Sequence, residues 1–343
     1  DAARDLLNKA ICLNRDSEEL WLAAGKLEWE TLNVVRAKDI YFKGREALPS
    51  KPRLWMKSAL VDMVSKNYED ALILIEEGMK KFPTFYKFYL MAAECCAAVR
   101  GDGADHNSTA GDFLRKGVSI CLPPIKGHDV LSIALSRLEE IRFGANKART
   151  ILELARVKCP KCQELWLEAI RLEHRQGNEA LKEALLAQAK QECSGHCGLI
   201  WAEDLWTCSK PAFKSKRVDA LKMCDNDPHI ILIIARVFER DAKIDKARKW
   251  YQRACDIDPK LGDSWCYLYA FEVQQEAIKC KNGKDNKSGN VNSITALTEI
   301  EKACVDADPN KGELWNSFRK QISNRREPVA GILKGVVKKI LSK

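Results

Sequence analysis

Large side chains recur along this chain on a period near 34 residues, and no other feature restricts its possible folds as strongly. With Trp21, Trp55, Tyr89, Ser132, Trp166, Trp201, Leu232, Trp265 and Trp315 as anchors, successive intervals are 34, 34, 43, 34, 35, 31, 33 and 50 residues. Six of the nine tryptophans fall in this register. The two long intervals hold polar inserts, GDGADHNSTAGD (101–112) and KCKNGKDNKSGNVNS (279–293), and deleting much of each restores the period. Self-similarity of this length marks stacked helical hairpins, because a single hairpin cannot bury both of its apolar faces without neighbours.

Each unit has an internal grammar. Seven residues past the anchor stands an acid in six units: Glu28, Asp62, Glu139, Glu173, Glu239 and Glu272. Six residues before it stands proline in five: Pro49, Pro83, Pro160, Pro259 and Pro309. Proline cannot extend the preceding helix and presets the turn into the next. A second helix follows in RAKDIYFKGREAL, KARTILELAR and KARKWYQRAC, with Ala37, Ala71 and Ala148 each 16 residues after an anchor, where a small side chain lets two helices approach. The predicted fold is all-α: a right-handed α-solenoid superhelix of about nine hairpins, one array over residues 1–343, with loop inserts near 100–112 and 279–293. A ring of this size buries roughly 150–250 Å², so the tryptophans are expected to wedge between the two helices of a unit. The acids are expected to pair with a base opening the second helix: Arg36, Lys147, Arg149, Lys246 or Arg248.

These residues resemble the HAT (half-a-TPR) family of helical repeats, whose marks are the anchor tryptophan and the acid seven residues on. A tetratricopeptide repeat favours glycine four residues after the tryptophan, and only Gly25 fits that pattern here. Tyr89, Ser132 and Leu232 depart from the family's tryptophan, and Cys96, Cys208 and Ile322 from its acid. Within the family, the segments ELWLEAIRLEHRQG (164–177), SKRVDALKMCDNDPHI (215–230), KARKWYQRACDIDPKLGDSW (246–265) and KGELWNSFRKQISN (311–324) are similar to the C-terminal array of a group of pre-mRNA splicing factors. The resemblance implies a non-catalytic scaffold in the nucleus that bridges snRNP proteins of the spliceosomal tri-snRNP, with no cofactor. A HAT scaffold of another RNA-processing machine, for messenger 3′-end cleavage or ribosomal RNA, stays open beside it.

Composition narrows the remaining classes. Hydrophobic residues are 46% and charged residues 31% of the 343, a globular balance. The longest apolar run, around Ile230 to Ile234, is far below the ~20 residues that span a bilayer. The opening DAARDLLNKA already reads as an amphipathic helix, as if the chain began inside a repeat. Net charge is +9, divided as +2 in residues 1–200 and +7 in 201–343. That bias suits an acidic or RNA-containing neighbourhood, yet it is diffuse. Many of the fourteen cysteines (Cys95, Cys96, Cys255, Cys266 and Cys304 among them) sit in apolar helical stretches, where a thiol packs as a small hydrophobe. This points to a reducing compartment.

Several clusters carry competing readings. Cys159, Cys162, Cys193 and Cys197, with His196 beside them, have spacing that suits tetrahedral zinc; alternatively they are free thiols and helix-end residues. Lys214, Lys216 and Arg217 in KPAFKSKR would meet RNA phosphate or an acidic partner, or lie in a solvated loop. Arg319, Lys320, Arg325 and Arg326 would form a second contact, or a polar cap on the array. The terminal ILKGVVKKILSK reads as a helix closing the last hairpin, and HIILIIARVF (229–238) as a helix buried between neighbours. Phosphate-loop, dinucleotide-loop, zinc-protease and nucleophile-elbow motifs are all missing from the sequence. No membrane contact or small-molecule substrate is expected.

Overall fold

A computed structural model describes residues 2–100, 104–193, 197–281 and 287–342. Among these residues it contains nineteen α-helices, one short 3₁₀ turn (Ile322–Asn324) and no strand; the only bridge is the isolated pair Leu261 and Lys311. The chain divides into two compact units, Asp1–Leu185 and Leu186–Lys343, where the sequence reads as one array.

The first unit begins with α1 (Ala2–Leu13), followed by α2 (Glu18–Glu30) and α3 (Val34–Ala47), then α4 (Pro52–Val64) and α5 (Tyr68–Lys81). Next come α6 (Lys87–Arg100) and α7 (Ala104–Ile120), α8 (His128–Phe143) and α9 (Ala145–Lys158), then α10 (Gln163–Arg175). The unit boundary falls inside α11 (Glu179–Glu192). From α1 to α10 each helix packs on the next, and α2, α4, α6, α8 and α10 also pack on one another in series. Within this unit the helices that carry the anchors therefore form one continuous layer, as stacked hairpins require.

The second unit holds α12 (Gly198–Thr207) and α13 (Lys210–Met223), α14 (Pro228–Arg240) and α15 (Ile244–Ile257), and α16 (Gly262–Lys281) and α17 (Lys287–Ala307). It closes with α18 (Glu313–Arg319) and α19 (Val329–Leu341). Ile230, Ile231, Leu232, Ile234 and Phe238 of α14 are all buried, as the apolar run predicts. Ile332, Leu333, Val336 and Val337 of α19 pack into the same core, so the basic terminal segment does close the last hairpin.

Two expectations need correction. The inserts are not simply loops: 104–112 forms the start of α7, and 287–293 the start of α17. Once nucleated, a helix extends at one hydrogen bond per residue, so an insert beside a packed helix lengthens it. Residues 101–103 and 282–286 lie outside the described residues. KPAFKSKR is likewise helical, forming the first turns of α13 with Pro211 at a position where its missing N–H costs nothing.

The hairpin turns repeat their geometry. The first helix of a hairpin ends with a left-handed residue, Leu32 (φ 63), Lys66 (φ 65), Gly177 (φ 73) or Ala242 (φ 57). The N–H that follows it reaches back to the carbonyl of Glu28, Asp62, Glu173 or Phe238 respectively. Second helices end three residues after a buried Gly or Ala, whose carbonyl accepts from the residue that caps the helix: Gly44, Gly78, Gly117, Ala155, Ala189, Ala220 and Ala254. An added Cβ at Gly44 would stand 3.1 Å from the Trp21 ring. Gly117 likewise makes room for the anchor Tyr89, and Gly78 for its neighbour Phe88. Ala37, Ala71 and Ala148 are buried as well, consistent with close helix approach.

Candidate interaction surface

The anchors are fixed by a polar contact as well as by burial. Trp21, Trp55, Trp166, Trp265 and Trp315 are all buried, while Trp201 is half-buried with Lys190 Nζ 3.5 Å from its ring centroid. The ring N–H of Trp55, Trp166 and Trp265 donates to the carbonyl of Pro49, Pro160 and Pro259, at 3.3, 2.7 and 2.9 Å. Tyr89 substitutes its hydroxyl, 2.8 Å from the Pro83 carbonyl, and Trp21 uses Arg15 at 2.9 Å. The carbonyl is the one polar backbone group proline has. Proline six residues before an anchor therefore ends one helix and offers an acceptor to the ring starting the next. In the last unit Arg319 takes the Pro309 carbonyl at 3.1 Å, and Trp315 Nε1 is buried without a partner.

The acids pair across hairpins rather than mainly within them. Arg4 binds Glu28 (2.5 and 3.1 Å), Lys38 binds Asp62 (2.5 Å), and Arg149 binds Glu173 (2.8 and 2.9 Å). Arg248 binds Glu272 (2.6 and 3.0 Å), and Arg115 binds Glu139. In all five pairs the base lies 24 residues before the acid, on the second helix of the preceding hairpin. Of the bases expected from sequence, Arg149 and Arg248 are used in this cross-hairpin sense, and Arg36 stands 3.8 Å from Glu28. The pairs are bidentate where arginine meets Glu28, Glu173 or Glu272, a geometry that only the planar fork supplies. The hydrogen bond from Arg4 holds Glu28 below the ordinary carboxylate range, and Arg149 does the same for Glu173.

Units that depart from the family's acid have also lost the base. Cys96, Cys208 and Ile322 stand where the acid would, and the residues 24 earlier are Leu72, Ala184 and Thr298. Glu239 is the exception, since its counterpart is Ser215. It accepts a hydrogen bond from Tyr251 Oη instead, and burial raises its pKa. This 24-residue correlation is legible in the sequence, but it links different hairpins, so pairing within a unit gives no sign of it.

The predicted contact residues are spread apart in their roles. Lys214 is exposed on α13, whereas Lys216 lies 2.7 Å from the buried Asp204 and Arg217 sits 5.7 Å from the Phe238 ring centroid. Lys190 holds the other oxygen of Asp204 at 2.6 Å. Burial pushes Asp204 up, yet these two ammonium groups outweigh it and its pKa falls. Arg319 is half-buried, Lys320 exposed at the end of α18, and Arg325 and Arg326 half-buried before α19. Cys159 and Cys162 flank the turn into α10 in the first unit; Cys193 and Cys197 belong to the second. Cys197 Sγ lies 3.6 Å from Cys224 Sγ, and among the described residues no group of three His, Cys, Asp or Glu converges as a metal would need.

Sequence reasoning missed one cluster altogether. On α14, the Arg236 guanidinium lies 3.9 Å from the ring centroid of Trp206 (α12) and 4.3 Å from that of Tyr267 (α16). Arg240, one turn on, lies 5.5 Å from Trp206. None of these residues occupies an anchor or acid position, so periodicity carries no signal for them.

No protein-family model matches the chain. Among curated proteins it is 32% identical over 253 residues to pre-mRNA-splicing factor prp1 of Schizosaccharomyces pombe, covering 74% of this chain and 25% of that protein. It is 38% identical over 128 residues to protein STABILIZED1 of Arabidopsis thaliana, 37% of this chain and 11% of that one. Human pre-mRNA-processing factor 6 is 36% identical over 132 residues, 38% of this chain and 12% of that one. The matched regions thus span about a tenth to a quarter of these relatives. Among solved structures, the C-terminal part of a TPR repeat-containing protein from Cytophaga hutchinsonii aligns over 77% of this chain and 92% of its own, at 12% identity and a TM-score of 0.42. With the anchor register and the curated relatives taken together, the chain is a helical-repeat protein of the HAT type, closely similar to the splicing factors prp1, STABILIZED1 and pre-mRNA-processing factor 6.

Proposed function

We propose that this chain is a non-catalytic scaffold in pre-mRNA splicing, acting in the nucleus and bridging snRNP proteins of the spliceosomal tri-snRNP through its HAT-repeat surfaces. The observation that carries the reading is the similarity to prp1, which runs over 74% of the chain. The architecture supports it. Stacked hairpins give long surfaces without a large central core, and the buried and half-buried acids described above are engaged by bases or, for Glu239, by a tyrosine. The second unit's excess of positive charge suits an acidic neighbourhood.

The test is an affinity purification from nuclear extract with the tagged chain as bait. Recovery of U4, U5 or U6 snRNP proteins is the expected result. Recovery of messenger 3′-end cleavage or ribosomal RNA processing factors without any snRNP component would overturn the assignment. Filter binding of RNA across a salt series is expected to give a shallow dependence; a steep inverse one would show phosphate contacts as the main attachment.

A further inference from the structure

We propose that Trp206, Arg236, Arg240 and Tyr267 form a docking site for an acidic peptide segment of a partner protein. The inference deepens the scaffold reading and rests on it in one respect, that the ligand is a protein.

The argument begins with a guanidinium. Arg236 is half-buried, with its guanidinium carbon over one indole and one phenol ring, each within the ~6 Å over which a cation is attracted to an aromatic face. Arg240 is exposed and shares the Trp206 ring. Neither guanidinium donates to a carboxylate or carbonyl among the described residues. By contrast Arg4, Arg115 and Arg149 end on buried acids, and Arg248 on the half-buried Glu272. Rings stacked on a guanidinium fix its orientation and leave its donors in the plane, along the edge. A second fork four residues later on the same helix face adds to them. Such an arrangement is built to receive a bidentate acceptor, and the ordering entropy of one arginine is already spent before the ligand arrives. Trp, Tyr and Arg are also the residues that dominate interface energetics.

The choice of occupant follows from what surrounds the cluster. Arg236 already takes a face of both the Trp206 and the Tyr267 ring, which leaves less of either for stacking bases. Carboxylates sit nearby on the same elements, Asp204 on α12 and Glu239 on α14, both held internally. With Asp204 matched by Lys190 and Lys216 and Glu239 bonded to Tyr251, the charge the cluster offers is that of two guanidinium forks, which neighbouring glutamates of a peptide match. An acidic peptide is therefore favoured over RNA.

The test uses the full chain and a fluorescein-labelled hexaglutamate peptide in an anisotropy titration at low salt. Saturable binding is expected, weakened about tenfold or more in Arg236→Gln/Arg240→Gln, the loss typical of a central interface residue. Arg236→Lys keeps the charge but not the fork and is expected to weaken binding too. Lys246→Gln/Lys249→Gln, which removes equal charge from the exposed face of α15, is expected to leave it unchanged. A hexaglutamate carrying benzoylphenylalanine is expected to cross-link to α12, α14 or α16. The absence of saturable binding, equal affinity for the double arginine variant with its thermal unfolding unaltered, cross-links only elsewhere, or tighter binding of hexauridylate would each overturn the site. The nuclear purification keeps the two ideas apart. If the wild-type chain retains snRNP proteins while the peptide ignores both arginines, the site falls and the scaffold stands. If the wild-type chain retains none, the scaffold falls whatever the peptide does.

Discussion

At the scale of single residues, the anchors and acids divide the work of holding a hairpin. The anchor supplies area and one hydrogen bond, and the acid ties a hairpin to the one before it. Trp166 and Trp315 separate these contributions, because the first donates its ring N–H and the second has no partner for it. Trp166→Phe is expected to cost about 1–2 kcal/mol more than Trp315→Phe, the worth of a buried hydrogen bond lost against an unmade one; chemical denaturation of both variants measures the difference. For the ion pairs, Arg149→Ala leaves the buried Glu173 carboxylate uncompensated. It is expected to cost about 2–3 kcal/mol, between the values for exposed and buried pairs. The double variant Arg149→Leu/Glu173→Cys copies the combination at Leu72 and Cys96, and is expected to be more stable than Arg149→Ala alone. A double variant less stable than the single one would refute the view that acid and base are exchangeable only together. Glu239 behaves oppositely to the paired acids. Its raised pKa means that the ionised form is disfavoured by folding. The resulting penalty is complete above the folded value and gone below the unfolded one near 4.3. Glu239→Gln, which still accepts from Tyr251, is expected to raise stability at neutral pH and to lose that advantage as pH falls toward 4.

At the scale of elements, the turns show where the repeat is strained. Gly177 occupies a left-handed position that Leu32, Lys66 and Ala242 occupy with a side chain. Nothing lies within 4 Å of a Cβ added at Gly177, so Gly177→Ala probes backbone conformation alone. A loss of about 1 kcal/mol is expected, and Lys66→Gly is expected to give a gain of similar size, set against the greater freedom of glycine in the unfolded chain. Calorimetric midpoints of the two variants should move in opposite directions. The helices themselves were legible before any coordinates, because apolar spacing and punctuation by proline are local properties. Less legible were helix lengths at the inserts, where α7 and α17 continue through sequence rich in Gly, Asn and Ser. Propensity alone disfavours helix there, and packing of the flanking turns overrides it. The base 24 residues before five of the six acids was also in the sequence. It stayed unseen because the partner belongs to another hairpin.

At the scale of the whole molecule, the cross-hairpin pairs give a definite response to acid. Glu28 and Glu173 have pKa values below the ordinary range, so they stabilise the fold above the unfolded value and release that stability as pH falls through their own. Stability followed by denaturant titration is therefore expected to drop below about pH 4, the ordinary glutamate range. A stability curve flat from neutrality to that point and beyond would contradict the pairing. The amino-acid sequence alone determined the class of architecture, the hairpin period, the positions of the buried rings and the resemblance to splicing factors. All of these follow from spacing along one dimension. The tertiary structure decided which base meets which acid, that the Pro309 carbonyl goes to Arg319 instead of Trp315, and that Arg236 rests between rings from two other helices. Those outcomes depend on how successive helices are rotated and offset against each other, a quantity that arises only when the faces pack.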